Sequence, residues 1–408
     1  MLAIKMVGSR AVGILGIRDA DWQAAPQFRT GTADVPPSPD PTLGATFLCP
    51  TARKPAGHRS GRPSLIGVSL WRWLAVWAVW IQAAYGGPPS AADTNLTARL
   101  TFIHDNDATA SFVPAPAVVR RMVDRGIKQH TGHGALAPAW KSLVASGDIV
   151  GIKVISAPGP TSGTRPAVVQ AVVESLIEAG HPPGQIILWD KSALDLENAG
   201  FPALAARLGI RCTNSIDAGW DSAHFYENPL LGRPLIGDLE YGQTGDTVGR
   251  KSYVTRLLSK EITRVISIAP TLNHNLTAVH GHLQSLALGG VDNTLRFAGH
   301  GPTLSEVIPE LFALPEVGDK LVLCITDALI CQYRGEERAL LHYAVALNEL
   351  RFGRDPVALD VTTWGDIERA RRANPTYGER ITPTDLFQNA ELLELGVANT
   401  NRITIQRD

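Results

Sequence analysis

The feature that most constrains this chain is one short run in its middle. "DIVGIKVIS" (Asp148 to Ser156) is apolar and β-rich, the turn residues "APGPTSG" follow, and "TRPAVVQAVVESLIEAG" then carries Val168, Val172 and Leu176 beside Val169, Val173 and Ile177 at helical spacing. Thr164 stands where an N-cap belongs, Pro166 falls in the first turn, and Gly180 with Pro182 ends the helix. "QIILWD" (Gln185 to Asp190) is the next apolar run. A strand, a helix and a second strand in so few residues predict two parallel strands joined by a right-handed crossover.

The theme recurs. Leu194 to Leu208 reads as a helix, Ile262 to Pro270 as a strand, Leu276 to Leu288 as a helix, and Leu321 to Thr326 as a strand. Asp355 and Pro356 then open a further helix as N-cap and first helical residue. The stretch 219–250 is rich in Gly and Pro, lacks periodicity, and reads as a lid, an insertion or a small hairpin. The expected fold is α/β: a mostly parallel, Rossmann-like sheet with helices on both faces and one irregular insertion.

Bulk properties remove several function classes. The 408 residues carry a formal net charge of -1, which leaves no electrostatic footprint for nucleic acid. The four cysteines, Cys49, Cys212, Cys324 and Cys331, contain no C-x-x-C pair, so no self-contained iron–sulfur or zinc cluster is expected. Neither a P-loop, nor G-x-S-x-G, nor H-E-x-x-H occurs.

The N-terminal part reads differently. Residues 1–62 are rich in Pro, Gly, Thr and Ala with weak periodicity, and disorder is expected there. Basic residues up to Arg72 then precede the apolar run Trp73 to Tyr85, and small residues follow as far as Ala92. Positive, apolar, small is the order of a secretory signal. The expectation is a periplasmic or extracellular protein, processed between Gly86 and Ala92, with the mature domain over 93–408; an uncleaved membrane anchor is the alternative. A signal so far from Met1 suggests that residues 1–62 reflect a misplaced gene start, which N-terminal sequencing of the exported chain tests.

In open α/β sheets ligands bind beyond the carboxyl ends of the strands. Asp190 and Lys191, Asn273 and His274, Asp327, and the 156–164 loop fall at such places and are expected to line one crevice. Lys153, inside an apolar strand, needs an anionic partner; it would hold an anionic ligand, act as a base, or snorkel. Arg165 and Asn275 are further candidates for holding substrate. Of only 11 histidines, His274, His280, His282 and His300 crowd into one segment. In a helix His280 and His282 point to different faces and cannot share an ion; in an extended chain they share a face. His274, next to a strand end, leads the candidates, with His300 second. Histidine with carboxylates such as Asp327 suits a transition metal (zinc, iron or nickel), and equally suits acid–base work.

An ordered set of segments also resembles a known family. "VGIKVIS" with Lys153, "IILWDKS" with its terminal Asp190, "APTLNHNLTAVHGHLQSLALGGVDN", "RFAGHG" with His300, "LVLCITDAL" and "DPVALD" together resemble domain of unknown function 362, a prokaryotic family often exported or associated with ferredoxin motifs. The likeness runs from about Leu100 to Arg369. Where that family places a lysine before its histidine this chain has Leu272, and where it has Leu-Lys-Asn this chain has Leu283, Gln284 and Ser285. "SGTRPAVV" (Ser162 to Val169) more loosely resembles the Thr-Arg-Pro loop of lactate racemase-like proteins, which use a nickel-bearing cofactor. The resulting expectation is an exported, metal- or cofactor-dependent enzyme acting on an anionic small molecule by a redox or isomerisation step. In it His274, Lys153 and His300 are catalytic, Arg165, Asp190, Asn273 and Asn275 hold substrate, and His274, His300 and Asp327 ligate metal. The alternative is a non-catalytic ligand-binding or assembly protein using the same crevice.

Overall fold

The computed structural model describes residues 96–298, 301–375 and 385–408. The signal segment, residues 1–62, Cys49 and His300 lie outside them. The strands are β1 (Ala98–His104), β2 (Val150–Lys153), β3 (Ile186–Asp190), β4 (Arg211–Asn214), β5 (Trp220–Glu227), β6 (Lys251–Thr255), β7 (Arg264–His274), β8 (Ala278–Val279), β9 (Leu321–Gln332), β10 (Ala344–Gly353) and β11 (Ile403–Arg407). The main helices are α1 (Pro116–Thr131), α2 (Pro166–Glu178), α3 (Ala193–Asn198), α4 (Phe201–Leu208), α5 (His282–Gly289), α6 (Gly301–Phe312), α7 (Pro356–Ala373) and α8 (Leu386–Leu392).

One large sheet runs in the order β11-β1-β10-β9-β7-β2-β3-β4, with β8 paired to β7. Only β10 runs against its neighbours on this path: it is antiparallel to both β1 and β9, and every other adjacent pair is parallel. The chain is therefore an α/β protein with a mostly parallel, Rossmann-like sheet. Alternation of side chains across each strand splits the core in two. Ile152, Ile186, Leu188, Ile266 and Ile268 pack with Met122 and Val123 of α1, Val169 and Val173 of α2, and Phe201 of α4. Ile187, Trp189 and Val265 pack on the other face with Leu283 and Leu286 of α5, Ile308 of α6, Val361 of α7 and Phe387 of α8. Helices thus cover both faces, which is why the central strands are largely apolar. The same alternation turns Lys153 toward the α5 face.

Several element boundaries differ from the sequence reading, each for a local reason. The stretch 194–208 forms two helices broken at Ala199 and Gly200. Thr164 does not cap α2. Its hydroxyl instead donates to the Ile268 carbonyl and accepts from the Ile155 amide, tying the loop to the sheet, and Arg165 takes the cap position without a side-chain bond. Asp355 does cap α7, accepting from the Ala358 amide, with Pro356 in the first turn. The helix read over 276–288 begins only at His282. Ala278 and Val279 fold back as β8 against His274 and Asn273, with Ala278 at φ +69°. The cap for α5 comes from far along the chain: the Asp360 carboxylate accepts from the His282 and Leu283 amides at 2.8 and 3.1 Å. A Cβ on Gly281 would collide with that carboxylate, so only glycine lets the two meet. The irregular 219–250 stretch contributes β5, which pairs antiparallel with β6, and a long loop between them.

Candidate functional site

The carboxyl ends of β3 and β7 and the distal part of β9 carry the polar residues singled out above. Asp190 is the last residue of β3; Asn273 and His274 end β7 rather than follow it. β9 continues past Thr326 to Gln332, so Asp327 lies inside the strand, where its register to β7 shifts and just before the shift to β10 between Ala328 and Ile330.

Lys153 is 2% exposed, and its ammonium has three acceptors: Asp190 Oδ1 at 2.7 Å, the Val154 carbonyl at 2.7 Å and Ser285 Oγ at 2.9 Å. That uses all three of its protons. Asp190 is equally occupied. Its Oδ1 also accepts from the Lys191 amide, and its Oδ2 accepts from the amide and hydroxyl of Ser156. Burial by itself would push the Asp190 carboxyl up, but the Lys153 ammonium and the Ser156 donors outweigh it and hold the carboxyl below the ordinary range. The pair is a closed structural unit under α5, and Lys153 has no proton left for an anionic ligand. Close packing seals it, because a Cβ on Gly289 would stand 2.6 Å from Lys153 Cε. Gly289→Ala is expected to destabilise the fold by about 1–3 kcal/mol, the usual penalty of overpacking, as read in urea denaturation.

Arg165 and Asp327 form a second closed pair. The guanidinium lies 3.0 Å from Asp327 Oδ1, and the Arg165 amide donates to Oδ2 at 3.2 Å. The Leu329 amide also reaches Oδ1, at 3.3 Å. Both side chains are almost wholly buried, so the two substrate-holding cations expected from sequence are each neutralised inside the fold.

The histidines separate by environment. His282, the first residue of α5, sits between Ser267 Oγ at 2.8 Å and Thr326 Oγ1 at 3.1 Å, and burial pushes its imidazole down to about 3. It is a satisfied core residue. His274 Nδ1 accepts from the amides of Leu276 and Thr277 at 3.3 and 3.0 Å, which places the ring proton on Nε2. Burial lowers its basicity, opposed in part by Glu336. His280 packs edge-on against it with ring centroids 4.6 Å apart. His280 is 6% exposed, its Nε2 is buried with no hydrogen-bond partner, and Glu337 Oε1 lies 4.0 Å away. Burial, then the neighbouring His274, hold it well below the usual histidine range. Glu337 moves the other way: burial first, then Asp195, Glu336 and Asp190, push its carboxyl up.

The wall around this pair is built from the expected residues and from others that the sequence did not flag. Glu336 Oε1 accepts from the Asn275 amide at 2.7 Å, the Glu336 amide donates to Asn273 Oδ1 at 3.1 Å, and Gln332 Nε2 donates to the Glu336 carbonyl at 2.8 Å. These bonds hold a 335–339 turn in which Gly335, Glu336 and Ala339 all have φ between +51° and +98°. Left-handed backbone at two non-glycine residues is strained and persists because its surroundings fix it. Gln284 and Ser285 are both engaged: Gln284 Oε1 accepts from Thr277 Oγ1 at 2.7 Å, and Ser285 holds Lys153. Glu336 and Glu337 had no signal in the sequence, since they reach His280 only through the fold of that turn.

A metal shared by His274, His300 and Asp327 does not fit these residues. Both Asp327 oxygens already face Arg165, and among the described residues no three His, Cys, Asp or Glu side chains are grouped to hold an ion. His300 lies outside the described residues.

Fold and site together define an α/β protein with a histidine–carboxylate cluster at the strand ends. No family model matches the chain, and no curated protein matches it. A solved structure of a protein from Thermotoga maritima is similar at 11% identity and a TM-score of 0.35, over 61% of this chain and 59% of that one. The chain thus spans well under two thirds of that protein, and similarity at this level does not establish a shared fold.

Proposed function

We propose that this protein binds a small molecule in the crevice between His274, His280 and the 335–339 turn, and that His280 and Glu337 exchange a proton with it. One observation carries the reading: a buried imidazole whose Nε2 has no partner, beside a second imidazole and 4.0 Å from a carboxylate. Unpaired buried polar atoms are uncommon and cost stability, so one at a strand-end crevice favours a functional role. A neutral imidazole is the form that accepts a proton, and a carboxyl raised by burial and then by its acidic neighbours is suited to give one. Lys153 and Arg165 are spent on carboxylates, while Glu336, Glu337 and Asp195 lie around the crevice. That charge balance favours a neutral or cationic ligand over the anionic one expected from sequence.

The non-catalytic alternative has its own support. Asp190, Asp327 and both cations serve the fold, which leaves few groups for chemistry. The two readings separate in one experiment. Wild type and His280→Gln are screened by thermal shift against cationic, neutral and anionic metabolites, and any ligand found is followed for turnover. The acid–base reading expects turnover in wild type and a loss of about a hundredfold or more in His280→Gln, with binding weakened much less. Binding without turnover would leave the binding-protein reading. Imidazole NMR checks the premise, since the His280 ring should titrate well below the usual histidine range.

We also propose, on the ordered segments alone, that the chain is a member of the domain of unknown function 362 family and is exported by its N-terminal signal. Among the described residues no helix is long and apolar enough to cross a membrane.

A further inference from the structure

The opposite edge of the sheet carries a concave site that the histidine cluster does not involve. β1 begins there at Ala98, and β10 ends there at Gly353, because the two strands pair antiparallel. The last turn of α1 lies alongside. Together they line a cavity of about 410 Å³ with Arg99, His130, Thr131, Ser142, Arg354 and Asp355 on its walls. That volume is in the range of small-molecule sites.

The cations there contrast with three buried ones elsewhere in the fold. Lys153, Arg165 and Arg351 each face a carboxylate. Neither Arg99 nor Arg354 has a carboxylate partner among the described residues. Arg99 makes only two long bonds, at 3.3 Å, to the carbonyls of Gln129 and His130; they cover the negative end of α1 and leave the rest of the guanidinium available. His130 Nδ1 is buried without a partner. The one carboxylate on the wall, Asp355, accepts from the Ala358 and Val397 amides through its two oxygens. Two guanidinium groups and an imidazole nitrogen in need of a partner form a donor set with a surplus of positive charge, while the Thr131 and Ser142 hydroxyls on the wall already donate to the Ile127 and Ala139 carbonyls. A tetrahedral oxyanion satisfies such a set, because its oxygens accept from several directions at once and pair with guanidinium in a fork.

We propose that this cavity is a binding site for a phosphate group, free or as the monoester of a small molecule. His130 supports the geometry: burial, then Arg354 and Arg99, push its imidazole down to about 4, so it is neutral and the site's positive charge comes from the arginines. The room beyond a single oxyanion gives a phosphate monoester space for its organic part.

The test uses the full chain. Inorganic phosphate, glycerol phosphate and acetate are titrated by calorimetry at pH 7 into wild type, Arg354→Ala and Arg99→Ala, with circular dichroism confirming that each is folded. Both arginines are exposed, so their loss leaves the core intact. The expected result is saturable binding of phosphate, weakened about tenfold or more by each substitution. Tighter binding of glycerol phosphate than of phosphate assigns the site to a monoester, and equal binding assigns it to the free ion. Absence of saturation by both phosphates up to about 10 mM overturns the proposal. So does unchanged affinity in both variants, or acetate binding as tightly as phosphate.

Discussion

An Asp190→Ala variant is expected to lose about 3–5 kcal/mol of stability, read as a lowered urea midpoint. The loss is that large because the carboxylate is one half of a buried pair. Without it the Lys153 ammonium stays 2% exposed with only a carbonyl and the Ser285 hydroxyl for partners. An uncompensated buried charge costs far more than the pair contributed. The amide and hydroxyl of Ser156 lose their acceptor as well. Removing both charges at once, as Lys153→Met with Asp190→Leu, should recover much of the loss, since an apolar pair of similar volume needs no compensation. The sign with pH follows from the depressed Asp190 carboxyl. Its contribution is fully present above the unfolded carboxylate value of about 3.9 and is lost as pH falls through the lower folded value. Wild type should therefore lose more stability on acidification below pH 4 than Asp190→Asn. A wild-type midpoint in Asp190→Ala would show that the pair is solvated, contrary to the geometry.

The second large effect is expected at Asp360, and its sign is the reverse. Burial pushes this carboxyl up to about 7, against the two helix amides that lower it. Between about pH 4 and 7 the folded chain holds a proton on Asp360 that the unfolded chain has released. The folded state binds more protons across that window, so this group's stabilisation is complete below about pH 4 and declines as pH rises toward 7. Three units of displacement correspond to on the order of 4 kcal/mol. Asp360→Asn cannot titrate, and its stability relative to wild type should therefore rise steadily from pH 4 to 7 and level off above. Urea midpoints of the two proteins at each pH measure this. Parallel curves would mean that Asp360 is ionised in the folded state throughout.

Much of the fold was legible because it depends on patterns that neighbouring residues carry. The run from Asp148 to Asp190 specifies a strand, a helix and a strand through its own periodicity, and β2, α2 and β3 lie where those residues place them. The Asp355–Pro356 start of α7 is a contact within one turn and was equally readable. Misread elements were those decided from a distance. α5 starts at His282 because Asp360, far along the chain, caps it, and Thr164 is drawn from its helix to the carbonyl of Ile268.

The site divides along the same line. Composition and spacing marked Lys153, Asp190, Arg165, Asp327 and the histidines as unusual for their positions, and those among the described residues lie at or near the strand ends that the topology implied. What each one does is a question of partners. Lys153 with Asp190 and Arg165 with Asp327 became structural pairs, and His282 became a satisfied core residue. His280, which the sequence placed behind His274 and His300, is left with an unpaired nitrogen. The sequence by itself determined which elements exist and where charge is out of place, because local sterics and the period of apolar residues act over a few neighbours. Only the tertiary structure decided which charges are neutralised and which remain to meet a ligand, because that depends on distances across the fold.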